Sequence, residues 1–224
     1  MGNQVLQERL GVSISEELLD VALTHRSYSY EHEDTPNNER LEFLGDSVLG
    51  FVVTTHLFAR FPHLAEGELT KLKNGVVSTK ALAAVGRELD LGSFLRLGRG
   101  EETTGGRDKD NLIADAVEAI LAAIYLELGL DAASAVVAKL IFPMLDDHES
   151  LLSSADPKTS LQEVLQERGF DAPVYTVEHE GPDHDRTFHA TVAFGNHRAD
   201  GTARSRKAAE ALAAAAALEL LEVK

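Results

Sequence analysis

The chain has 224 residues, of which 44% are hydrophobic and 26% charged, a composition typical of a globular protein with one large or two smaller domains. It has no cysteine, which excludes disulfides and thiolate metal sites and fits a reducing compartment. No signal-peptide pattern and no uninterrupted apolar run of roughly 20 residues is found, so we expect a soluble, cytoplasmic protein that does not bind membranes. The net charge of −16 disfavours binding to a polyanion unless divalent ions and local basic clusters offset it.

Apolar residues recur at three- and four-residue spacing through the first two-thirds of the chain. This spacing is typical of helices, and no segment of this region alternates as a strand does, so we predict an all-α domain. The predicted helices cover residues 15–23, 37–60, 66–90, 110–128 and 131–146. We assign residues 1–148 to this domain and the polar residues 149–155 to a linker.

Residues 156–224 have a different pattern, which predicts a small α+β domain of α-β-β-β-α order. Asp156 and Pro157 favour the start of a short helix that ends near Arg168. An Ala-rich helix is expected at the end of the chain. The predicted strands cover 173–178, 187–194 and about 197–203, with a turn at 181–185, and the last helix covers about 205–222.

Three carboxylates share one face of the helix predicted at 37–60. Because a helix advances ~100° per residue, Glu39, Glu42 and Asp46 fall within an arc of about 60°. Like charges at this spacing repel, and a bound cation would remove that penalty. The opposite side gathers apolar residues that we expect to pack: Leu41, Leu44, Val48, Phe51 and Val52.

A second predicted helix carries Asp115 and Glu118 about one turn apart, among neighbours that are nearly all apolar or small. A solvated helix face explains such a pair poorly. Ala116, Ala119 and Ala122 would let another helix approach closely. Because the candidate ligands are oxygen atoms, they favour a hard ion, Mg²⁺ or Mn²⁺, of the kind that promotes phosphodiester hydrolysis.

Single residues of these kinds more often have a structural role. Any one carboxylate is more often solvated than a ligand, but the triplet together with the embedded pair favours a site. Glu66, at the start of another predicted helix, is a further candidate ligand.

Phe43 lies beside the acidic face, so its ring belongs either to the core or to a contact with a partner subunit. His25 is assigned no chemistry, and Arg26 either pairs with an acid or contacts RNA.

Residues 38–50 closely resemble the signature segment of ribonuclease III, a highly specific match of about ten consecutive residues. The resemblance continues through 23–28, 66–67, 97–101 and 113–119 and, with the C-terminal domain, covers nearly the whole chain. It implies that the catalytic Mg²⁺, for which Mn²⁺ can substitute, is bound by Glu42, Asp46, Asp115 and Glu118. Of these, Asp46 and Glu118 match the residues usually called catalytic.

The same resemblance implies further roles and an activity. Glu39 and Glu66 match accessory acids near the scissile strand, and Phe43 matches a ring that enters the partner subunit of a homodimer. The family cuts double-stranded RNA to leave 5′-phosphate and 3′-hydroxyl ends, with ribosomal RNA precursor stems and other structured transcripts as expected substrates. No small-molecule organic cofactor is expected.

Residues 156–224 resemble a double-stranded RNA-binding domain. By this resemblance the RNA contacts come from three places: Thr159, Gln162 and Glu163 on the first helix, His184 in the loop, and Ser205, Arg206 and Lys207 at the start of the last helix. Three positions depart from the pattern. Ala203 replaces a frequent glycine, Glu210 a frequent lysine, and Lys73 of the first domain a frequent arginine.

Two other functions are compatible with parts of this pattern. A binding protein of the same fold would sequester duplex RNA without cutting it, and loss of Asp46 or Glu118 would have favoured that interpretation. A helical scaffold whose packing is stabilised by a metal would explain the carboxylates but not the C-terminal domain. The retention of all six carboxylates beside an RNA-binding module favours the endonuclease.

Overall fold

The computed structural model of the protein describes residues 2–33, 35–182 and 185–222. The chain divides into two compact units, Met1–His148 and Glu149–Lys224. The first is helical and the second combines helices with an antiparallel sheet, which confirms the predicted fold class.

The first unit consists of helices joined by short turns, and within its described residues the only β-type pairing is an isolated bridge between Thr24 and Arg96. Two 3-10 turns, Gly106–Asp108 and Phe142–Asp147, complete it. Its helices are α1 (Gly2–Leu10), α2 (Glu16–Ala22), α3 (Arg26–Glu31), α4 (Glu39–Arg60), α5 (Glu66–Val76), α6 (Thr79–Glu88), α7 (Leu91–Phe94), α8 (Arg99–Thr103) and α9 (Asp110–Leu140).

The core of this unit lies where α4 and α6 pack against α9. Leu49 of α4 and Ile113, Ile120 and Ile124 of α9 are fully buried there. By length and composition alone both α4 and α9 could cross a membrane, a test that the core helices of globular domains also pass. In this unit their apolar faces pack on each other.

The helices agree with the predictions in part. The sequence pattern does not predict α1, α3, α7 or α8, and the helix predicted to end at 146 ends at Leu140. The segment 66–90, predicted as one helix, forms α5 and α6, because the hydroxyl of Ser78 accepts a hydrogen bond from the backbone N–H of Ala81 and caps a new helix. The predicted break between 128 and 131 lies at Gly129, whose φ of 84° interrupts α9.

The second unit contains a three-stranded sheet and three helices, the first of which covers the segment 149–155 that was predicted as a linker. After that helix, the strand and helix order is the predicted one. The elements are α10 (His148–Ala155), α11 (Pro157–Glu167), β1 (Val174–Glu180), β2 (Thr187–Phe194), β3 (His197–Ala203) and α12 (Arg206–Glu222).

The sheet of this unit has the order β1-β2-β3 with both pairs antiparallel. α12 packs along β2 and β3, and α11 packs against α12. A β-carbon at Gly201 would overlap the backbone of α12, so glycine lets the helix lie close to the sheet. The buried core includes Leu161 and Leu165 of α11, Val192 and Phe194 of β2, and an alanine row of α12 that includes Ala209 and Ala213.

Candidate metal centre and RNA-binding surface

The two carboxylate-bearing helices, α4 and α9, cross at Gly45. A β-carbon on Gly45 would overlap the backbone carbonyl of Glu118, so the missing side chain is what allows this approach. On α9 the residues next to the crossing are small or apolar and fully packed, including Ala119 and Ala122. The close crossing therefore brings the acidic face of α4 next to Asp115 and Glu118.

Three carboxylates meet beside this crossing. Glu42 of α4 and Asp115 and Glu118 of α9 each offer an oxygen, and these oxygens all lie within 4.8 Å of one another. All three side chains are partly buried. The predicted grouping of acids from two helices is thus present for these three residues.

The surroundings of the three acids favour their neutral forms in the absence of a cation. Burial, followed by the charges of Asp46, Asp115 and Glu42, raises the pKa of Glu118 to about 7. Burial also raises the pKa of Asp115, and burial followed by the charge of Asp115 raises that of Glu42. A divalent cation would relieve this repulsion, and the all-oxygen donor set fits a hard ion such as Mg²⁺ or Mn²⁺.

The other predicted acids lie outside this group of three. Asp46 is exposed on the same face of α4, and its charge helps to raise the pKa of both Glu42 and Glu118. Glu39 is exposed and pairs with Arg26. Glu66 is exposed at the start of α5, where it accepts a hydrogen bond from the hydroxyl of Thr70 at 3.2 Å.

A basic side chain that the sequence left undecided lies at the edge of the acidic group. Arg26 donates through Nη1 to Glu39 Oε1 at 3.2 Å, and its charge lowers the pKa of Glu42 and Asp115 against the larger effect of burial. The neighbouring His25 caps α3 by accepting from the N–H of Ser27, which agrees with a structural role. Arg26 therefore offsets part of the negative charge of the centre.

The start of α4 is held by hydrogen bonds that Asn38 donates to the segment before α3. Asn38, only 3% exposed, precedes the first residue of the helix. Its backbone N–H donates to the carbonyl of Thr24 at 2.9 Å, and its side-chain amide donates to the carbonyl of Ala22 at 3.3 Å. Thr24 in turn bridges to Arg96. This clamp fixes where α4 begins and so where Glu39 and Glu42 lie.

An exposed aromatic row runs along α4 on a side other than the acidic one. Phe43, Phe51 and Phe58 are 79%, 59% and 76% exposed. The prediction that Phe51 packs inside the domain is wrong, because its ring lies on this outer row rather than beside Leu41, Val48 and Val52, which are buried. We call Phe43, Phe51 and Phe58 the aromatic row of α4.

The predicted RNA-binding residues that the structure describes lie on exposed surfaces of the second unit. Thr159, Gln162 and Glu163 are exposed on α11, and Thr159 is held by Asp156, which accepts from both its N–H and its hydroxyl. The remaining predicted residues are exposed at the start of α12, namely Ser205, Arg206 and Lys207. His184 lies outside the described residues.

Ser205 caps α12 by accepting a hydrogen bond from the N–H of Ala208 at 3.2 Å. The N-terminus of α12 and the adjacent Arg206 and Lys207 concentrate positive charge at this surface, because the helix dipole and the side-chain charges have the same sign there.

The hydrogen bonds of Glu210 could not be predicted from local sequence. Glu210, noted only as a departure from the family pattern, accepts hydrogen bonds from two basic side chains of this unit, Lys158 and Arg206.

Comparison with known proteins assigns both units. A family model described as Ribonuclease-III-like matches residues 15–145, and one described as Double-stranded RNA binding motif matches residues 157–221. The protein named Ribonuclease 3 of Leifsonia xyli is 54% identical over 213 residues, 95% of this chain and 90% of that protein. Ribonuclease 3 of Streptomyces coelicolor is 52% identical over 214 residues, 95% of this chain and 78% of that protein.

A solved structure agrees with this assignment for the helical unit. The nuclease domain of ribonuclease III from Campylobacter jejuni, whose description mentions a flexible region involved in dimer formation, superposes with a TM-score of 0.59. It is 40% identical and covers 62% of this chain and 96% of that one. The matches cover both units, and the chain therefore belongs to the ribonuclease III family, with a double-stranded-RNA-binding motif after its nuclease domain.

Proposed function

We propose that this chain hydrolyses phosphodiester bonds of double-stranded RNA at a divalent-metal centre between α4 and α9. The observation that carries the proposal is the meeting of Glu42, Asp115 and Glu118 within 4.8 Å beside the Gly45 crossing, in a chain of the ribonuclease III family. The ion is Mg²⁺, with Mn²⁺ as a substitute, because the donor atoms are all carboxylate oxygens.

The chain's own residues would hold the ion and the scissile phosphate in place. Glu42, Asp115 and Glu118 would bind the cation, with Asp46 completing the ligand set from the exposed end of the same face. When bound, the ion supplies Lewis-acid activation of water and neutralises charge that develops on the phosphate oxygens. Glu39, next to Glu42 on α4, and Glu66, at the start of α5, would act near the scissile strand. The products carry 5′-phosphate and 3′-hydroxyl ends.

The second unit would supply duplex binding. The α11 residues Thr159, Gln162 and Glu163 face a minor groove, His184 reaches the next one, and Ser205, Arg206 and Lys207 contact phosphates of the intervening major groove. Recognition of this kind reads the shape of the A-form helix and its 2′-hydroxyls rather than its sequence. Structured precursors of ribosomal RNA and stems in other cytoplasmic transcripts fit this requirement. We assign residues 1–148 to the nuclease, 149–155 to a linker and 156–224 to RNA binding.

The protein would act as a homodimer. The aromatic row of α4 exposes three large rings on a single chain, and exposed apolar patches of this kind mark protein interfaces. A second copy of the chain would cover the row, with Phe43 entering the partner subunit. A dimer places two cleavage centres on one duplex, one for each strand.

The test of the proposed function is cleavage of a labelled RNA duplex longer than roughly 16 base pairs, so that it spans two minor grooves. Wild-type protein and a Glu118→Gln variant are incubated with Mg²⁺ or with Ca²⁺. A Glu88→Gln variant is the matched control, because Glu88 is an exposed acid of the same domain at the end of α6. We expect short duplex products only with Mg²⁺, and only from the wild type and Glu88→Gln.

Duplex binding by all three proteins without any product would instead favour the sequestering protein. Equal cutting by Glu118→Gln and wild type would refute the assignment of Glu118 to the centre. The presence of all the predicted acids, three of them gathered at the helix crossing, is the observation that favours cleavage over sequestration.

A further inference from the structure

Glu210 lies within the RNA-binding surface and carries a charge that should repel RNA. It is one helical turn after Arg206 on α12, at a position where a lysine is frequent in domains of this type. The side chain is only 12% exposed although it is charged. An acid so nearly buried among bases has a structural partner or a functional one, and here the partners are the bases themselves.

Both oxygens of the Glu210 carboxylate are occupied by cations from different elements. Oε1 accepts from Nε of Arg206 at 2.9 Å, and Oε2 accepts from Nζ of Lys158 on α11 at 2.5 Å. These two hydrogen bonds, Lys158 first, hold the pKa of Glu210 below its ordinary value. The carboxylate therefore stays charged and joins the starts of α11 and α12.

Lys158 is held from a second side as well. Its ammonium nitrogen lies 4.6 Å from the centroid of the Tyr175 ring on β1, within the range of a cation–π contact. A lysine side chain otherwise samples many rotamers, and ordering it on binding costs conformational entropy. The ring and the carboxylate together fix this ammonium before any RNA is bound.

Among the residues that the structure describes, Arg206 is bound through Nε only, which leaves its terminal donors available. A guanidinium has five N–H groups, of which Nε carries one, so four remain after the bond to Glu210. The side chain is 70% exposed. The bond at Nε fixes the plane of the guanidinium and leaves its outer edge toward solvent, where a phosphate could be bound by two parallel hydrogen bonds.

We propose that Glu210 is a positioning residue for duplex binding, which orients Arg206 and Lys158 toward RNA phosphates. This inference rests on the proposed function, since it requires the starts of α11 and α12 to face the duplex. It also accounts for an acid at a position where a lysine is frequent. The binding free energy gained by ordering Arg206 and Lys158 in advance is larger than the loss caused by repulsion between Glu210 and the RNA phosphates.

This role predicts an effect whose sign is opposite to that of simple electrostatics. Removing a negative charge from an RNA-binding surface should strengthen binding if charge alone matters. If Glu210 positions its partners, Glu210→Gln weakens binding, because the amide holds neither cation as strongly. Glu219→Gln is the matched control, since Glu219 is an exposed acid on the same helix with no ion pair among the described residues.

The experiment measures the affinity of the full-length variants for an RNA duplex in Ca²⁺ over a series of salt concentrations. We expect Glu210→Gln to bind about tenfold more weakly and to lower the magnitude of the salt slope by about one for each phosphate that the protein no longer binds. Glu219→Gln should bind as tightly as wild type or slightly more tightly. Partial unfolding of a variant would lower the active fraction but leave the slope unchanged, so the slope separates positioning from stability.

A second variant keeps the test independent of the folding of Glu210→Gln. Arg206→Lys retains the charge but lacks the Nε donor and the planar fork, so we expect it to bind severalfold more weakly. Glu210→Gln with unchanged or tighter binding, or Arg206→Lys with wild-type affinity, would overturn the inference. Failure of the wild-type protein to bind duplex RNA at all would instead overturn the proposed function.

Discussion

Gly45 of α4 packs against the backbone carbonyl of Glu118 on α9, with no room for a β-carbon between them. The residue that lets the helices cross is thus placed between two acids of α4, Glu42 and Asp46, and faces a third on α9. The contact at Gly45 consequently determines both how closely α4 and α9 pack and how far apart their carboxylates lie. A change in the separation of the helices changes the distances between the carboxylates.

Gly45→Ala should therefore abolish metal binding and cleavage while removing no carboxylate. The added methyl group forces the helices apart, and overpacking of this kind costs about 1–3 kcal/mol of stability. Gly50→Ala is the control on the same helix, because a β-carbon there meets only the end of Lys73 at 3.8 Å. Thermal unfolding and Mn²⁺ titration of both variants check this prediction. Wild-type Mn²⁺ affinity in Gly45→Ala would contradict it.

The affinity of the centre for divalent metal should depend on pH near neutrality. The raised pKa of Glu118, about 7, means that this carboxyl is protonated below pH 7 in the metal-free protein and must lose its proton to bind a cation. Affinity should thus be nearly constant above pH 8 and fall about tenfold between pH 8 and pH 6, most of it below pH 7.

Calorimetric titration with Mn²⁺ from pH 6 to pH 8.5 measures this dependence. Glu118→Gln removes the titrating group and should bind the ion weakly, with a smaller change across the same range, whereas Glu88→Gln should behave as wild type. A wild-type affinity that stays constant between pH 6 and pH 8 would show that protons do not compete with the ion for Glu118.

Phe43→Asp should shift the protein from dimer to monomer without unfolding it. The ring is 79% exposed on a single chain, so its removal leaves the core intact, but burial of a phenylalanine in an interface contributes about 1.5–3 kcal/mol. The dimer should dissociate at a concentration at least about tenfold higher than that of wild type. Analytical ultracentrifugation checks this, with Tyr30→Asp as the control because that ring is 83% exposed on α3. Equal dimer stability in both variants would remove Phe43 from the interface.

Removal of residues 156–224 should weaken duplex binding at physiological salt by about tenfold or more, because α11 and α12 no longer supply their share of the phosphate binding. The nuclease unit has its own core, so the shortened protein should still cut duplex RNA weakly at low salt. Gel-shift and cleavage assays at two salt concentrations measure both effects. Unchanged affinity after truncation would refute the assignment of the RNA-binding unit.

Most of the secondary structure could be predicted because local patterns determine it. β2 and β3 occupy Thr187–Phe194 and His197–Ala203, which match the strands predicted at 187–194 and about 197–203. α1 could not be predicted in this way. It is stabilised by burial of Leu6 and Leu10 against the rest of the nuclease unit, a tertiary contact that nine residues of local sequence do not reveal.

The sequence predicts which acids share a face of one helix, but not the distances between acids on different helices. The shared face of Glu39, Glu42 and Asp46 follows from helical spacing, but the distance from Glu42 to Asp115 and Glu118 depends on how α4 crosses α9. The same limit explains the error at Phe51, since spacing does not distinguish a ring in the core from one on the aromatic row. The bonding of Glu210 to Lys158 likewise depends on the packing of α11 against α12.

The hydrogen bonds that hold Asn38 widen the range of mutations that should inactivate the protein. Neither Ala22 nor Thr24 carries a ligand, yet their carbonyls set the register of the helix that does. A genetic selection for loss of function should consequently return substitutions at Asn38 and in the strand-like bridge between Thr24 and Arg96, in addition to the acids themselves. Such substitutions would produce a folded protein whose metal ligands are all present but displaced. Second mutations that restore activity should lie among the residues that contact Asn38 or Thr24.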